Sequence, residues 1–210
     1  NCDRPFGVWV SVCPEMRALG TTDDASLRAW LMQRFDVYRI ESKQGQTEGL
    51  ATGYFEPSFQ ASRTPRGAQR HALHRPPADL ATRKPWYTRE QSDTLPAARN
   101  ALQGREIAYV ADPLDVLMVQ IQGSGRLRIT EPDGRVTNSR IAFAGHNDQP
   151  YQSVGRWLIQ QGGLRPDGAA WPAIRDWAQR NPTRINEMLW ANPRLVFFKE
   201  EPLPDPSLGP

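Results

Sequence analysis

The sequence predicts a mainly β fold with its helices gathered in the last third. Three observations predict it. Proline makes up 19 of 210 residues, about 9% against a usual ~5%, which favours short elements, turns and edge strands over long helices. Apolar residues between about 35 and 144 recur mostly at period two, and beyond 150 at period three to four. Turn pairs such as Pro132-Asp133-Gly134 and Gly162-Gly163 separate these runs.

Composition sets the outer bounds. A chain of 210 residues suits one domain or two small ones. Lys+Arg 26 against Asp+Glu 23 leaves +3, too little to point to nucleic acid or an anionic membrane. A hydrophobic share of 39% and seven Trp describe a folding chain. Mean hydropathy is −0.63, and no apolar run approaches the ~18 residues a membrane helix needs. No signal peptide is visible, and the chain opens on Asn1 rather than Met. The two cysteines, Cys2 and Cys13, sit near one end without a CxxC or Cys/His cluster, so no metal is expected. They fit a disulfide formed in an oxidising compartment, against the plainer reading of two unrelated buried thiols.

The elements follow in order. Thr22 to Arg34 reads as an amphipathic helix, with Asp23 and Asp24 at its N-terminus. Strands are expected from Phe35 to Ile40 and from Glu48 to Phe55, with Gly49 and Gly53 marking close backbone approach. Ser58–Ala61 and Gln69–His74 read as short strands joined by a Pro-Gly turn. Helical fragments follow near 88–93 and 95–102, then strands over Glu106–Val110 and Leu114–Gln122. In the last of these Leu117, Val119 and Ile121 alternate with Met118, Gln120 and Gln122, which would give one face two amides. Arg126–Thr130 and Asn138–Ala144 form a hairpin about Glu131-Pro132-Asp133-Gly134. Helices run over Tyr151–Gln161, Ala169–Arg180 and Thr183–Trp190, and Leu195–Phe198 is a final strand before a Pro-rich tail.

Several chemistries are excluded. There is no GxSxG, GxGxxG, Walker loop or HExxH. His71 and His74 would face opposite sides of a strand, which is poor geometry for a shared metal. A basic stretch of Arg63, Arg66, Arg70, His71, His74 and Arg75 could follow phosphates, but it lacks the interleaved aromatics of single-strand binders. The more telling groups are neutral. Thr52, Tyr54, Gln122, Ser124, Asn147, Tyr151 and Ser153 bring hydroxyls, amides and rings beside glycines. A glycan needs hydrogen bonds to its hydroxyl and acetamido groups and flat faces for its rings.

Five motifs in order, ATGYFEP (51–57), LHRPPADL (73–80), ADPLD through QIQGSGRLR (111–128), AGHNDQPYQSVGRWLI (144–159) and NPRLVFFKE (192–200), resemble the MltA family of lytic transglycosylases over about residues 25–200. The resemblance implies a double-psi β-barrel built from N- and C-terminal segments, a smaller inserted β-rich domain with helices, and a groove between them. Mapped here, 1–57 is the N-terminal part of the barrel, 58–193 the insert, and 194–210 a return strand and linker.

The implied activity is non-hydrolytic cleavage of the β-1,4 MurNAc–GlcNAc bond of peptidoglycan, leaving 1,6-anhydroMurNAc ends. One Asp acts first as acid and then as base while the sugar's own 6-hydroxyl attacks, so the second carboxylate of ordinary glycosidases is not needed. No cofactor or metal is implied. The family's acid lies in a C-terminal D-x-G-G-like motif that this chain does not contain. No catalytic residue is therefore assigned here; the chain would supply the groove, its missing C-terminal segment the acid, and the chain alone would be inactive. Glu56, Asp112, Asp115 and Asp148 are expected to be turn, cap or groove residues. The glycan strand would meet Tyr54, Gln122, Ser124, Asn147, Tyr151 and Ser153, with Thr52 and Glu56 where the groove joins the barrel. The family implies a periplasmic site, an outer-membrane lipid anchor in the full-length protein, and membership of a cell-wall enzyme complex as an open question. The alternatives are a non-catalytic peptidoglycan-binding module and, on the basic stretch, a nucleic-acid-binding barrel.

Overall fold

A computed structural model describes residues 7, 9–20, 23–49 and 55–203. The chain divides into two units, Asn1–Tyr54 with Leu203–Pro210, and Phe55–Pro202. In the first, helices run over Trp9–Ala18 (α1) and Asp24–Arg34 (α2). Helix α2 starts where expected because the Asp23 carboxylate accepts the Ser26 backbone N–H at 2.9 Å. Helix α1 was hidden by Pro14 inside it. Cys13 is buried on α1 and is not a free thiol; Cys2 lies outside the described residues. The strand expected over 35–40 does not form: residues 36–49 contain no strand, and of the second expected strand 50–54 lies outside the described residues. Val37, Tyr38 and Ile40 stay 73%, 81% and 88% exposed. An alternating pattern becomes a strand only with a partner to hydrogen-bond, and none pairs with it among the described residues.

The second unit is built on one mixed sheet. Its strands are Ser58–Ser62 (β1), His71–His74 (β2), Glu106–Val110 (β3), Ser124–Thr130 (β4), Val136–His146 (β5) and Val196–Glu201 (β6). The order is β2-β3-β1-β4-β5-β6, with β1 and β4 parallel and the other pairs antiparallel. The sheet curls until its edge strands β2 and β6 approach each other, which nearly closes a barrel. Strands β1 and β2 are therefore not a hairpin, because β3 pairs between them. Strand β6 pairs with β5 from His146↔Val196 to Arg140↔Glu201. It lies within the unit Phe55–Pro202.

The remaining helices are Arg89–Thr94 (α3), Pro96–Leu102 (α4), Pro113–Gln122 (α5), Val154–Gln160 (α6), Trp171–Arg180 (α7) and Ile185–Trp190 (α8). Helix α5 replaces the strand expected over 114–122. The Asp112 carboxylate accepts the Leu114 N–H at 2.8 Å, Pro113 occupies the first turn, and Gly123 closes the helix at φ +80°. These end signals outweigh the β-branched alternation between them. The helix is buried from two sides. Val119 joins Leu73, Ile107, Leu127, Ile129, Ile141 and Phe198 against the sheet. Leu114 and Leu117 join Val154, Leu158, Ile174, Trp177 and Met188 of the helical layer. Gly125 is required where β4 passes α5, since a Cβ there would lie 2.8 Å from Val119 Cγ2. No helix of the described residues is long and apolar enough to cross a membrane.

Two polar clusters hold this unit. Arg63, just beyond β1, donates to Glu131 at 3.0 and 3.1 Å, to Glu200 at 3.0 Å and to the Ile107 carbonyl at 2.8 Å. Glu200 also accepts from Ser139 Oγ at 2.9 Å, and Arg75 lies 3.4 Å away. Burial acts to raise the Glu200 carboxyl, but Arg63, Ser139 and Arg75 outweigh it and hold it below its ordinary value. Within the basic stretch Arg63 and Arg75 are thus tied to internal carboxylates and carbonyls, while Arg66 and Arg70 stay exposed. Arg70 donates to the Gly67 carbonyl, and Arg75 to that of Glu106. A phosphate-binding face would lose Arg63 and Arg75 as free cations.

The second cluster centres on Asn147, which is fully buried. Its amide donates to the carbonyls of Tyr87 and Pro193, both at 2.9 Å, and its Oδ1 accepts from the Leu195 N–H at 3.0 Å and the Gln149 N–H at 3.4 Å. Its backbone bonds Leu195 and Trp86. Asn192, also buried, accepts from the Gln152 N–H at 3.2 Å and the Arg194 N–H at 3.3 Å. The two amides pin the 147–152 loop to the 192–195 loop.

The first cluster predicts an acid limb. Carboxyls lowered in the fold contribute stability that is present above the ordinary glutamate value of 4.5 and is lost as pH falls below it. Glu200→Gln is expected to cost about 2 kcal/mol at pH 7 and to flatten the loss of melting temperature below pH 4.5; an unchanged acid limb contradicts this role. Asn147→Ala strands two buried carbonyls and is expected to lower stability by about 2–4 kcal/mol in urea unfolding. A change below 0.5 kcal/mol (roughly the surface-substitution level) would contradict the clamp.

Candidate glycan-binding site

The pinned loop sits at the end of β5, where pairing with β6 shifts register between Phe143 and Gly145. The shift leaves Phe143 half exposed. Asp148 takes the left-handed region at φ +58°, unusual for a residue with a side chain. Its backbone N–H donates to His146 Nδ1 at 3.0 Å. That bond makes Nδ1 an acceptor and puts the neutral ring's proton on Nε2, so the 3.2 Å approach of Asp148 Oδ1 to Nδ1 is not a hydrogen bond in this state. Lys84 Nζ lies 3.5 Å from the other oxygen of Asp148.

Phe143, His146 and Tyr151 line a cavity of about 460 Å³ together with Ile121 and Gly123 at the end of α5, Gln120, Arg89, Asn192, Arg194 and Val196. Phe143 and His146, 6.2 Å apart between ring centres, also line a neighbouring cavity of about 410 Å³ against Pro76, Pro77, Leu80 and Lys84. Tyr151 is 51% exposed. Behind these rings the polar groups are fixed. Arg89 is buried and donates to Gln120 and the Arg194 carbonyl at 2.7 Å each, and to the Asn192 carbonyl at 3.0 Å. Burial pulls its guanidinium down to about 10, with nearby Asp93 opposing; it remains a cation at neutral pH. Arg194 donates to the Gln149 carbonyl at 2.8 Å. The result is two exposed rings and a histidine over a rigid floor of amides and guanidinium groups, which is what sugar faces and their hydroxyls require.

The structure sorts the residues expected from the sequence. Tyr151 lines the cavity. Asn147 does not: it is buried and both its amide hydrogens and its carbonyl oxygen are engaged, so it shapes the loop and offers a ligand nothing. Ser153 caps α6 by accepting the Arg156 N–H at 3.3 Å. Gln122, on a helix rather than a strand, turns its amide to Met118 Sδ at 3.9 Å and is not grouped with Tyr151. Ser124 stands near the Glu56 carboxylate and helps to lower its proton affinity. Thr52 and Tyr54 lie outside the described residues. Arg89, Phe143 and Arg194 were not singled out, and Gln120 and His146 were not among the residues expected to bind. Phe143 could have been found from its place two residues before Gly145 at a strand end; Arg89 carries no local signal, because its partners are 31 to 105 residues away.

The carboxylates here are paired with arginines. Glu56 receives Arg126 at 2.9 Å and Arg140 at 2.6 Å. Burial would raise it, but these two arginines and Ser124 set it below the ordinary range. Asp112 caps α5 and pairs with Arg175 at 2.8 Å, and Asp115 pairs with the same arginine. The carboxyls of this unit whose proton affinity is shifted, among them Glu56, Glu131, Glu200 and Glu201, are all shifted down. A general acid needs the opposite.

Comparison with known proteins agrees with the motif pattern. Residues 50–199 match the family model described as the MltA specific insert domain. The chain is 28% identical over 189 residues to membrane-bound lytic murein transglycosylase A of Vibrio cholerae, covering 82% of this chain and 48% of that protein. With its namesake from Escherichia coli K12 it shares 29% over 170 residues, 79% of this chain and 43% of the relative. Among solved structures, the lytic transglycosylase LtgG of Burkholderia pseudomallei superposes with a TM-score of 0.73 at 36% identity, over 95% of this chain and 58% of that one. Escherichia coli MltA with bound chitohexaose superposes at 0.62 with 28% identity, over 73% of this chain and 43% of that one. The chain thus spans about half the length of the curated relatives it matches. With well over half of its residues under the family model, the chain belongs to the MltA family.

Proposed function

We propose that this chain is the glycan-binding part of a peptidoglycan lytic transglycosylase that cleaves the MurNAc–GlcNAc bond and leaves 1,6-anhydroMurNAc ends. The observation that carries the proposal is the cavity in which Phe143 and Tyr151 stand exposed above the fixed polar groups of Gln120, Arg89 and Arg194. The chitohexaose bound by a 28%-identical relative is a polymer of the chemistry such a cavity suits. The proposal places the protein at the cell envelope, as its membrane-bound relatives are named, in the periplasm and on a lipid anchor. The proposed domain roles are a barrel part over 1–57, with 194–210 as its return strand and linker, and an insert over 58–193 carrying the glycan contacts. Cys2 and Cys13 are proposed to pair. Thr52 and Tyr54 keep their proposed glycan contacts.

The acid is assigned outside the described residues, since Glu56 is locked between two arginines and the other shifted carboxyls are lowered as well. The same fact favours the second reading, a peptidoglycan-binding module without catalysis. Two experiments separate the parts of the proposal. Phe143→Ala and Tyr151→Ala are each expected to weaken chitohexaose binding five- to tenfold, roughly one ring contact, with the melting temperature unchanged. Full affinity in both variants rejects the cavity. The chain incubated with purified murein sacculi is expected to release no anhydromuropeptides by mass spectrometry. Their release by the chain alone would show that one of its own carboxyls is the acid.

A further inference from the structure

On the other side of Arg89 lies a second cavity, of about 600 Å³, between helices α3, α4 and α5 and the edge strands β2 and β6. It shares Arg89, Gln120 and Val196 with the glycan cavity but has a different chemistry. Three arginines and two carboxylates line it: Arg70, Arg89, Arg99, Asp93 and Glu106. Among the described residues none of the five takes part in an ion pair, whereas Arg63, Glu131 and Glu200 of the same unit are interlocked. Charges of both signs therefore face one space without a direct ion pair, although Asp93, which accepts from Trp190, acts on Arg89 from nearby, and Arg70 and Arg99 each donate to a backbone carbonyl.

The floor is the more demanding part. Arg89 uses Nε and Nη2 on the 192–194 loop and Gln120; its Nη1 has no hydrogen-bond partner among the described residues although the residue is only 6% exposed. A buried cation with an unused donor is costly unless something completes it. The ring of nearby His74 also has no hydrogen bond among the described residues. Burial lowers its pKa against the pull of Glu106, which leaves the ring neutral. The formal charge of the lining then rests on the three arginines and two carboxylates. A bare anion would meet Asp93 and Glu106, and a bare cation the arginines. Arg89 and Arg99 belong to the helical wall and Glu106 to the sheet wall, so a ligand with separated ends can meet both. The volume falls within the usual range for a small organic ligand.

We propose that this cavity binds a zwitterion of amino-acid to short-peptide size, its carboxylate toward Arg89 and Arg99 and its ammonium toward Glu106. The site adjoins the proposed glycan cavity through Arg89, Gln120 and Val196, but the rings of Phe143 and Tyr151 do not line it.

Isothermal titration of the full chain with alanylalanine, its N-acetyl derivative and its C-terminal amide tests this. The dipeptide is expected to bind one site per chain, and each derivative about tenfold more weakly, as for the loss of one charge-assisted contact. Arg99→Ala and Glu106→Gln should each weaken the dipeptide to a similar degree while leaving chitohexaose affinity unchanged, and Glu106→Gln should not alter the N-acetyl form. Arg89→Met risks the 192–194 loop, so the derivatives carry the test without it. No detectable dipeptide binding, equal affinity for dipeptide and N-acetyl derivative, or tighter binding of inorganic phosphate would each overturn the proposal.

Discussion

The side-chain amide of Asn147 is the contact on which the loop beside the Phe143–Tyr151 cavity depends. It offers two donors and an acceptor to backbone groups in three separate segments, 87, 147–149 and 193–195. No other side chain of that size presents donors and an acceptor in one plane without a charge to bury. Through it the 147–152 loop is fixed to the strand that follows Pro193, and Asn192 repeats the device one layer away. Gln149 adds a bond to the Trp86 carbonyl at 2.7 Å, and Trp86 packs edge-on to Phe197 at 5.5 Å. Tyr151 thus sits in a loop held by buried polar bonds, while Phe143 is held by the pairing of β5 with β6. Stacking a flexible polymer on rings already in place avoids the ordering cost of a mobile loop.

Charge is distributed in the same spirit. Arg63 organises the nearly closed sheet from one end, and Arg140 and Arg126 hold Glu56 at another. These arginines sit in a chain whose net charge is only +3, and Arg63 and Arg75 of the basic stretch meet internal carboxylates. A carboxyl gripped by two guanidinium groups cannot hold a proton near neutral pH.

Much of this was legible in the sequence. The five co-linear motifs pointed to the family, and the helical last third, the hairpin at 131–134 and the helix opening at Asp23 all form. Helix α5 was misread because Val116, Leu117, Val119 and Ile121 resemble a strand, while the Asp112-Pro113 start and the Gly123 stop carried the decisive local information. The strand pattern at 35–40 failed for the opposite reason: its alternation is real, but pairing is a long-range property. Asn147 lay in the right motif with the wrong role. A sequence shows that an amide is present, not whether its hydrogens face a ligand or a carbonyl 46 residues away. Arg89 was invisible for that reason too.

The central claim is that glycan lies across the Phe143–Tyr151 cavity of a preformed loop. Chemical-shift mapping of the isotope-labelled chain during titration with chitohexaose tests it most directly. The account predicts shifts concentrated at Gln120, Phe143, His146, Tyr151 and Arg194, with little change at Asn147 and none along 63–75. Shifts centred on the 63–75 stretch, or saturable binding that leaves Phe143 and Tyr151 unmoved, would contradict it.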